Sequence, residues 1–264
     1  MCHAADSEPP LLPPDLVARP RIAGGAPAEV LELESADGTR FSAAIAEAPD
    51  ARGPGIVVLP DVRGLHPFYM RLAERFADAG HPAVAMDYFG RTAGLGPRDE
   101  DFEYMPHVAQ TRPETIQQDA AAALALLRER TGAASAVSVG FCFGGAQSFL
   151  LATVPEVGFD AVIGFYGALA SERLGPAAPL YRVADTRLPV LGLFGDADQA
   201  IPVEQVRQFE AGLEQAGVQH EIVVYPGAPH SFFDRRYEEH AEACEDAWRR
   251  VLGFLQSVGA AVAG

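Results

Sequence analysis

Val137-Ser138-Val139-Gly140-Phe141-Cys142-Phe143-Gly144-Gly145 is an apolar, β-type run that breaks at Gly-x-Cys-x-Gly and gives way to a helix-like stretch over 146–152. This is the form of a nucleophile elbow with cysteine where serine usually stands. Such a turn is so tight that small residues must flank the nucleophile. It holds the sulfur at the top of a sheet and at the start of a helix, where backbone N–H groups and the positive helix end favour a thiolate. Cys142 is therefore the candidate nucleophile. The competing reading is a small buried hydrophobe, a common role for a free cysteine.

Two partners lie downstream. Leu188-Pro189-Val190-Leu191-Gly192-Leu193-Phe194-Gly195 reads as a buried strand and runs into Asp196-Ala197-Asp198. Glu221-Ile222-Val223-Val224-Tyr225 reads as another and runs into Pro226-Gly227-Ala228-Pro229-His230-Ser231-Phe232. The order nucleophile, acid, histidine is that of α/β-hydrolases. Each candidate follows an apolar strand, where the loops of an open α/β sheet build a site. His230 is the candidate base. Asp198 is the candidate acid; Asp196 is its rival, or else an Asp that bonds the backbone of its own turn.

The rest of the chain fits an α/β fold with a mostly parallel central sheet and helices on both faces. Residues 28–46 read as a hairpin turning at Asp37-Gly38, and 55–60 as a continuous apolar strand. An amphipathic helix is expected over 68–79, a strand over 82–86 and another strand over 160–166. Thr115-Ile116-Gln117-Gln118 resembles a capping box opening a helix that runs to about Arg130. Further helices are expected over 202–216 and 237–258, with irregular excursions over 92–113 and 171–186. No repeat or composition break marks a second domain. The expected organisation is an N-terminal tail or surface arm over 1–28, where Pro9-Pro10-Leu11-Leu12-Pro13-Pro14 cannot be a helical apolar core, and a single domain over 29–264.

Composition narrows the function. The 264 residues carry a formal net charge of −16, which disfavours nucleic acid and anionic membrane surfaces as partners. No apolar run approaches the ~20 residues of a membrane span, and the N-terminus lacks the basic start and apolar stretch of a secretory signal. The three cysteines, Cys2, Cys142 and Cys244, are odd in number and widely spaced, and no CxxC pair suggests zinc. A reducing cytoplasm is the natural setting for a thiol nucleophile. No cofactor and no metal is expected. A metal site built from Cys142, Asp198 and His230 lacks the tight local spacing of motifs such as HExxH.

These residues resemble the dienelactone hydrolase (carboxymethylenebutenolidase) family of the α/β-hydrolase superfamily, over roughly 28–258. The resemblance is carried by Gly-Phe-Cys-Phe-Gly-Gly at 140–145, by Gly195-x-x-Asp198-x-x-Ile201-Pro202, and by Pro-x-x-x-His-Ser-Phe at 226–232. It implies a cofactor-free carboxylic ester or lactone hydrolase with catalytic residues Cys142, Asp198 and His230. Oxyanion N–H groups would come from Val62 and Phe143. By the same resemblance, Asp61 stands where the family has an active-site glutamate that gates the thiol. Arg91, in Asp87-Tyr88-Phe89-Gly90-Arg91, stands where the family's arginine meets a substrate carboxylate; a structural ion pair is its competing reading. The family's second such arginine, four residues past the histidine, is Asp234 here, with Arg235 and Arg236 beside it.

The expected substrate is a small-molecule ester or lactone, the dienelactone type being the family's lead, handled by a monomer or homodimer. A broad small-ester or thioester hydrolase is the first alternative. A non-catalytic relative that binds a ligand or senses oxidants through Cys142 is the second.

Overall fold

Eight strands form one sheet in the computed structural model, which describes residues 8–17, 27–234 and 236–263. In chain order they are β1 (Glu29–Glu34), β2 (Arg40–Ala46), β3 (Gly55–Leu59), β4 (Ala83–Met86), β5 (Ala136–Phe141), β6 (Ala161–Phe165), β7 (Val190–Gly195) and β8 (His220–Tyr225). Between and after them lie α1 (Pro67–Asp78), α2 (Gly90–Ala93), α3 (Tyr104–Val108), α4 (Pro113–Thr131), α5 (Phe143–Leu151), α6 (Pro179–Arg182), α7 (Val203–Gln215) and α8 (Ala241–Ala263).

The spatial order is β1-β2-β4-β3-β5-β6-β7-β8. β1 and β2 form the expected hairpin and β2 runs antiparallel to β4; every other pairing is parallel. β3, β5, β6 and β7 are buried along their whole length, as a parallel sheet covered by helices on both faces requires. That is why these strands read as continuous apolar runs and not as alternating ones. Register aligns their ends: Leu59 pairs with Gly140, Phe141 with Phe165, and Gly195 with Tyr225. The chain therefore leaves β5, β7 and β8 at one edge of the sheet, carrying Cys142, Asp198 and His230 with it.

Two expected helix starts are revised. α4 opens with Pro113 at its first turn and has no side-chain cap at Arg112, so the capping box does not form. Thr115 lies inside the helix and its hydroxyl donates to the Arg112 carbonyl at 2.9 Å. Proline supplies the start, since its missing N–H is unneeded there and its φ is already helical. α8 begins at Ala241, four residues after the expected start, because 237–240 form turns.

α8 is tied to the segment that follows the histidine. Trp248 packs edge-on against Phe76 of α1 at 5.1 Å and against Phe233 at 5.3 Å. Such pairs contribute about 0.5–1.5 kcal/mol each beyond the area they bury. Residues 8–17 cross the same face: the Pro10 carbonyl accepts from the Trp248 indole at 3.2 Å, Leu12 is buried, and Asp15 pairs with Arg249 at 2.7 Å. The remainder of the expected arm, 1–7 and 18–26, lies outside the described residues. Among the described residues no helix is long and apolar enough to cross a membrane.

Candidate active site

The turn after β5 is fixed by backbone crowding. A Cβ on Gly140 would stand 2.0 Å from the Gly144 carbonyl oxygen, and one on Gly144 only 2.1 Å from that of Leu59. On Gly145 it would meet the Phe165 oxygen at 2.7 Å. The start of α5 is thus wedged between the ends of β3 and β6 with no room for side chains. Between these glycines Cys142 takes φ 53 and ψ −110, a conformation costing a non-glycine residue on the order of 1–3 kcal/mol. Its N–H donates to Phe165 and its carbonyl accepts from Ala146, at 3.0 and 3.2 Å. The sulfur is half-buried. Two other non-glycine residues have positive φ, Tyr166 (37) and Ser231 (59). Tyr166 directly follows β6, and Ser231 follows His230. All the non-glycine strain among the described residues therefore lies around one site.

His230 joins the other two candidates. Its Nδ1 lies 2.7 Å from Asp198 Oδ2, and its Nε2 lies 3.1 Å from Cys142 Sγ. With a carboxylate as the partner of Nδ1, that nitrogen carries the proton, and Nε2 faces the sulfur. Asp198 is buried, and its Oδ1 accepts from the Ala200 and Ile201 N–H groups at 2.8 and 3.3 Å. Asp196 takes the turn role: its Oδ1 accepts from the Gly227 N–H at 2.6 Å, stitching the loop after β7 to the loop after β8. Burial opposes protonation of His230, but Asp198 and Cys142 outweigh it and raise the imidazole pKa to about 10.

Val62 and Phe143 lie where the ends of β3 and α5 meet. Neither backbone N–H is drawn into a turn or loop bond among the described residues. The Phe143 N–H opens α5, so no carbonyl of that helix can accept from it. Tyr88 braces both sides. Its hydroxyl donates to the Pro60 carbonyl at 2.7 Å, and its ring meets that of Phe143 edge-on at 5.1 Å.

Two expected residues are engaged elsewhere. Arg91 is not brought to the Cys142–His230–Asp198 cluster. Its guanidinium pairs with Asp119 at 2.6 Å and Asp37 at 2.8 Å, and also donates to Ser35 Oγ at 3.2 Å. The competing reading, a structural ion pair, describes this contact. Asp61 is buried at the end of β3, but its carboxylate accepts from Arg63: from Nε at 2.9 and 3.0 Å, from Nη2 at 2.7 Å and from the backbone N–H at 3.0 Å. It is clasped by a cation two residues away and makes no such bond with the thiol. Asp234 is buried, with the Tyr166 hydroxyl donating to it at 3.4 Å. Arg235 lies outside the described residues, and Arg236 pairs with Glu239.

Sequence reading missed Tyr166 and Arg173. Tyr166 packs its ring against His230 at 5.1 Å; its place just past a buried strand was a usable signal. Arg173 sits over the Phe143 ring at 5.1 Å, in an irregular excursion with no pattern to single it out. Among the described residues no group of three or more His, Cys, Asp or Glu side chains is disposed to hold a metal ion.

Comparison with known proteins identifies the family and the fold. Residues 41–259 match the dienelactone hydrolase family. A protein of Methylorubrum extorquens named as a carboxymethylenebutenolidase is 32% identical over 216 residues, covering 79% of this chain and 73% of its own. One from Synechocystis with the same name is 33% identical, covering 77% and 86%. A crystal structure from Klebsiella pneumoniae, described as a dienelactone hydrolase, superposes with a TM-score of 0.74 at 26% identity, covering 86% of this chain and 99% of that one. A puromycin-hydrolysing peptidase of Mycobacterium tuberculosis shares the fold at 19% identity and TM-score 0.71, over 91% of this chain and 41% of its own.

Proposed function

The chain belongs to the dienelactone hydrolase family and is a hydrolase of that type; on that premise we propose that it cleaves a carboxylic ester or lactone through Cys142, His230 and Asp198. The observation that carries the reading is His230, bonded at one nitrogen to Asp198 and at the other to Cys142.

The chemistry follows from that geometry. The Cys142 thiolate, held beside the His230 imidazolium, attacks the carbonyl carbon and forms the new C–S bond. The carbonyl oxygen becomes an oxyanion, met by the N–H groups of Val62 and Phe143. Its collapse breaks the C–O bond, and the leaving alkoxide or enolate takes the proton from His230 Nε2, leaving a thioester acyl-enzyme. Acylation removes the thiolate charge that helped raise the His230 pKa, so the imidazole is now a base. It takes a proton from water, which attacks the thioester. The acid is released and thiolate and imidazolium are restored. Asp198 keeps Nδ1 protonated and aligned throughout.

A carboxylate-bearing dienelactone is the lead substrate. A broader small-ester or thioester hydrolase is favoured by one observation: Arg91 is occupied by Asp37 and Asp119, and Asp234 stands at the other expected arginine position. A thiol nucleophile suits the reducing cytoplasm, and the enzyme acts as a single domain from residue 29 onward, as a monomer or homodimer. The test compares turnover of a carboxylate-bearing dienelactone with that of a neutral aryl ester, with Cys142→Ala as the blank. Cys142-dependent turnover of either supports the mechanism, and its absence for both overturns it.

A further inference from the structure

We propose that Arg173 is the anion-recognition residue of this site, selecting substrates that carry a carboxylate next to the reacting ester. This rests on Cys142 being the nucleophile. All 20 basic side chains of the chain are arginines, set against 36 acidic ones, so an arginine without an acidic partner is conspicuous. Arg173 is in no ion pair among the described residues. Its guanidinium lies 5.1 Å from the ring centre of Phe143, the residue that follows the nucleophile.

Its hydrogen bonds leave capacity for a ligand. Among the described residues only Nη1 is engaged, donating to Thr111 Oγ1 at 3.3 Å and to the Thr111 carbonyl at 3.5 Å. Nε and Nη2 form the planar fork that fits a carboxylate with two parallel bonds. The residue is exposed, so an anion can reach it. Partial desolvation of the guanidinium where it lies over Phe143 draws the pKa down with no carboxylate to raise it back, yet an arginine stays protonated. A bound carboxylate supplies the missing counter-charge.

The position also explains why two other arginine sites need not serve. Arg91 is held by Asp37 and Asp119, and position 234 is an aspartate. Arg173 approaches from the opposite excursion, between β6 and β7, and reaches across to Thr111, just before α4. A carboxylate gripped there stands next to Phe143, whose N–H is the proposed oxyanion donor. The anion would thus orient the carbonyl as well as hold the substrate.

The test reads charge selection, not activity alone. For a carboxylate-bearing dienelactone and its neutral methyl ester, the ratio of kcat/KM should fall about 10- to 100-fold in Arg173→Met, the effect of losing hydrogen bonds to a charged group. Arg173→Lys, which keeps the charge without the fork, should retain part of the ratio. Alkylation gives a second readout that needs no turnover. The Cys142 thiolate displaces iodide from iodoacetate or from iodoacetamide, and the ratio of these rates at Cys142 should fall in Arg173→Met. An unchanged ratio in both measurements overturns the proposal. So does a Thr111→Val variant that reproduces the Arg173→Met losses, since Arg173 would then be a latch between two loops. Failure of the hydrolase reading is distinct: no Cys142-dependent turnover of either ester, whatever the alkylation ratio.

Discussion

Arg91 donates to Oδ2 of Asp119 at 2.6 Å and so ties the segment after β4 to helix α4. The Asp119 carboxylate is fully buried and also accepts from Ser35 Oγ at 2.6 Å. Desolvation raises its pKa even though Arg91 and Ser35 act against it. Removing Arg91 would leave that charge buried and unpaired. Arg91→Met should therefore destabilise the fold by about 3 kcal/mol, read by denaturant unfolding, while kcat/KM for a neutral ester stays where it is. The loss should grow as pH rises above the ordinary carboxylate range, because a raised carboxyl pKa favours the protonated folded state. Arg91→Met combined with Asp119→Asn should regain part of it.

Cys142→Ala should abolish turnover, by on the order of 10⁴-fold or more, while the protein still folds, because the half-buried sulfur packs against the core without being one of its buried members. Cys142→Ser should recover little. A serine hydroxyl holds its proton far more tightly than a thiol does, so His230 would have to remove it during attack. Full activity with serine would sink the thiolate argument.

His230 carries its own pH signature. With a pKa near 10, above the ordinary value of 6.5, the charged imidazole stabilises the fold fully below pH 6.5. That contribution is lost as pH rises through about 10. Titration of the imidazole by NMR should give a midpoint well above 6.5 in the wild type. The midpoint should move down in Asp198→Asn and in Cys142→Ala, since each removes a cause of the rise. Asp198→Asn should also lower kcat by about 10²–10⁴-fold.

Arg63→Met should unmask Asp61. The pair is buried on both sides, with 5% and 11% of the two side chains exposed, so loss of the guanidinium leaves an uncompensated carboxylate at the end of β3. The expected cost is about 3–5 kcal/mol. Loss of the ordered β3 end should also lower kcat, through Val62. Asp61→Asn in the same background should restore stability, which thermal unfolding would show.

Much of this site was legible because its elements are short and local. An apolar run, a turn and one reactive side chain recur three times, at Cys142, Asp198 and His230, and the parallel sheet brings those strand ends together. What the sequence could not disclose were partnerships between distant residues. Nothing near Arg91 announces Asp119, 28 positions on, or Asp37, 54 positions back. Arg173 sits in an aperiodic excursion and acquires meaning only when Phe143 is placed beneath it. The Asp61–Arg63 clasp spans two residues, yet a carboxylate at a strand end reads equally well as facing the pocket. The capping box failed for a simpler reason: Pro113 had already started the helix.

The order of the strands also sets when the reactive pair can exist during synthesis. β5 and Cys142 leave the ribosome before β7 and β8, which must follow before His230 reaches the sulfur; Phe233, just past the histidine, then packs on Trp248 of α8. A nascent chain that stops short of β8 therefore carries Cys142 without its histidine neighbour. On the proposed mechanism, acyl transfer would wait for β8 and the loop that carries His230, so reactivity would follow completion of the sheet.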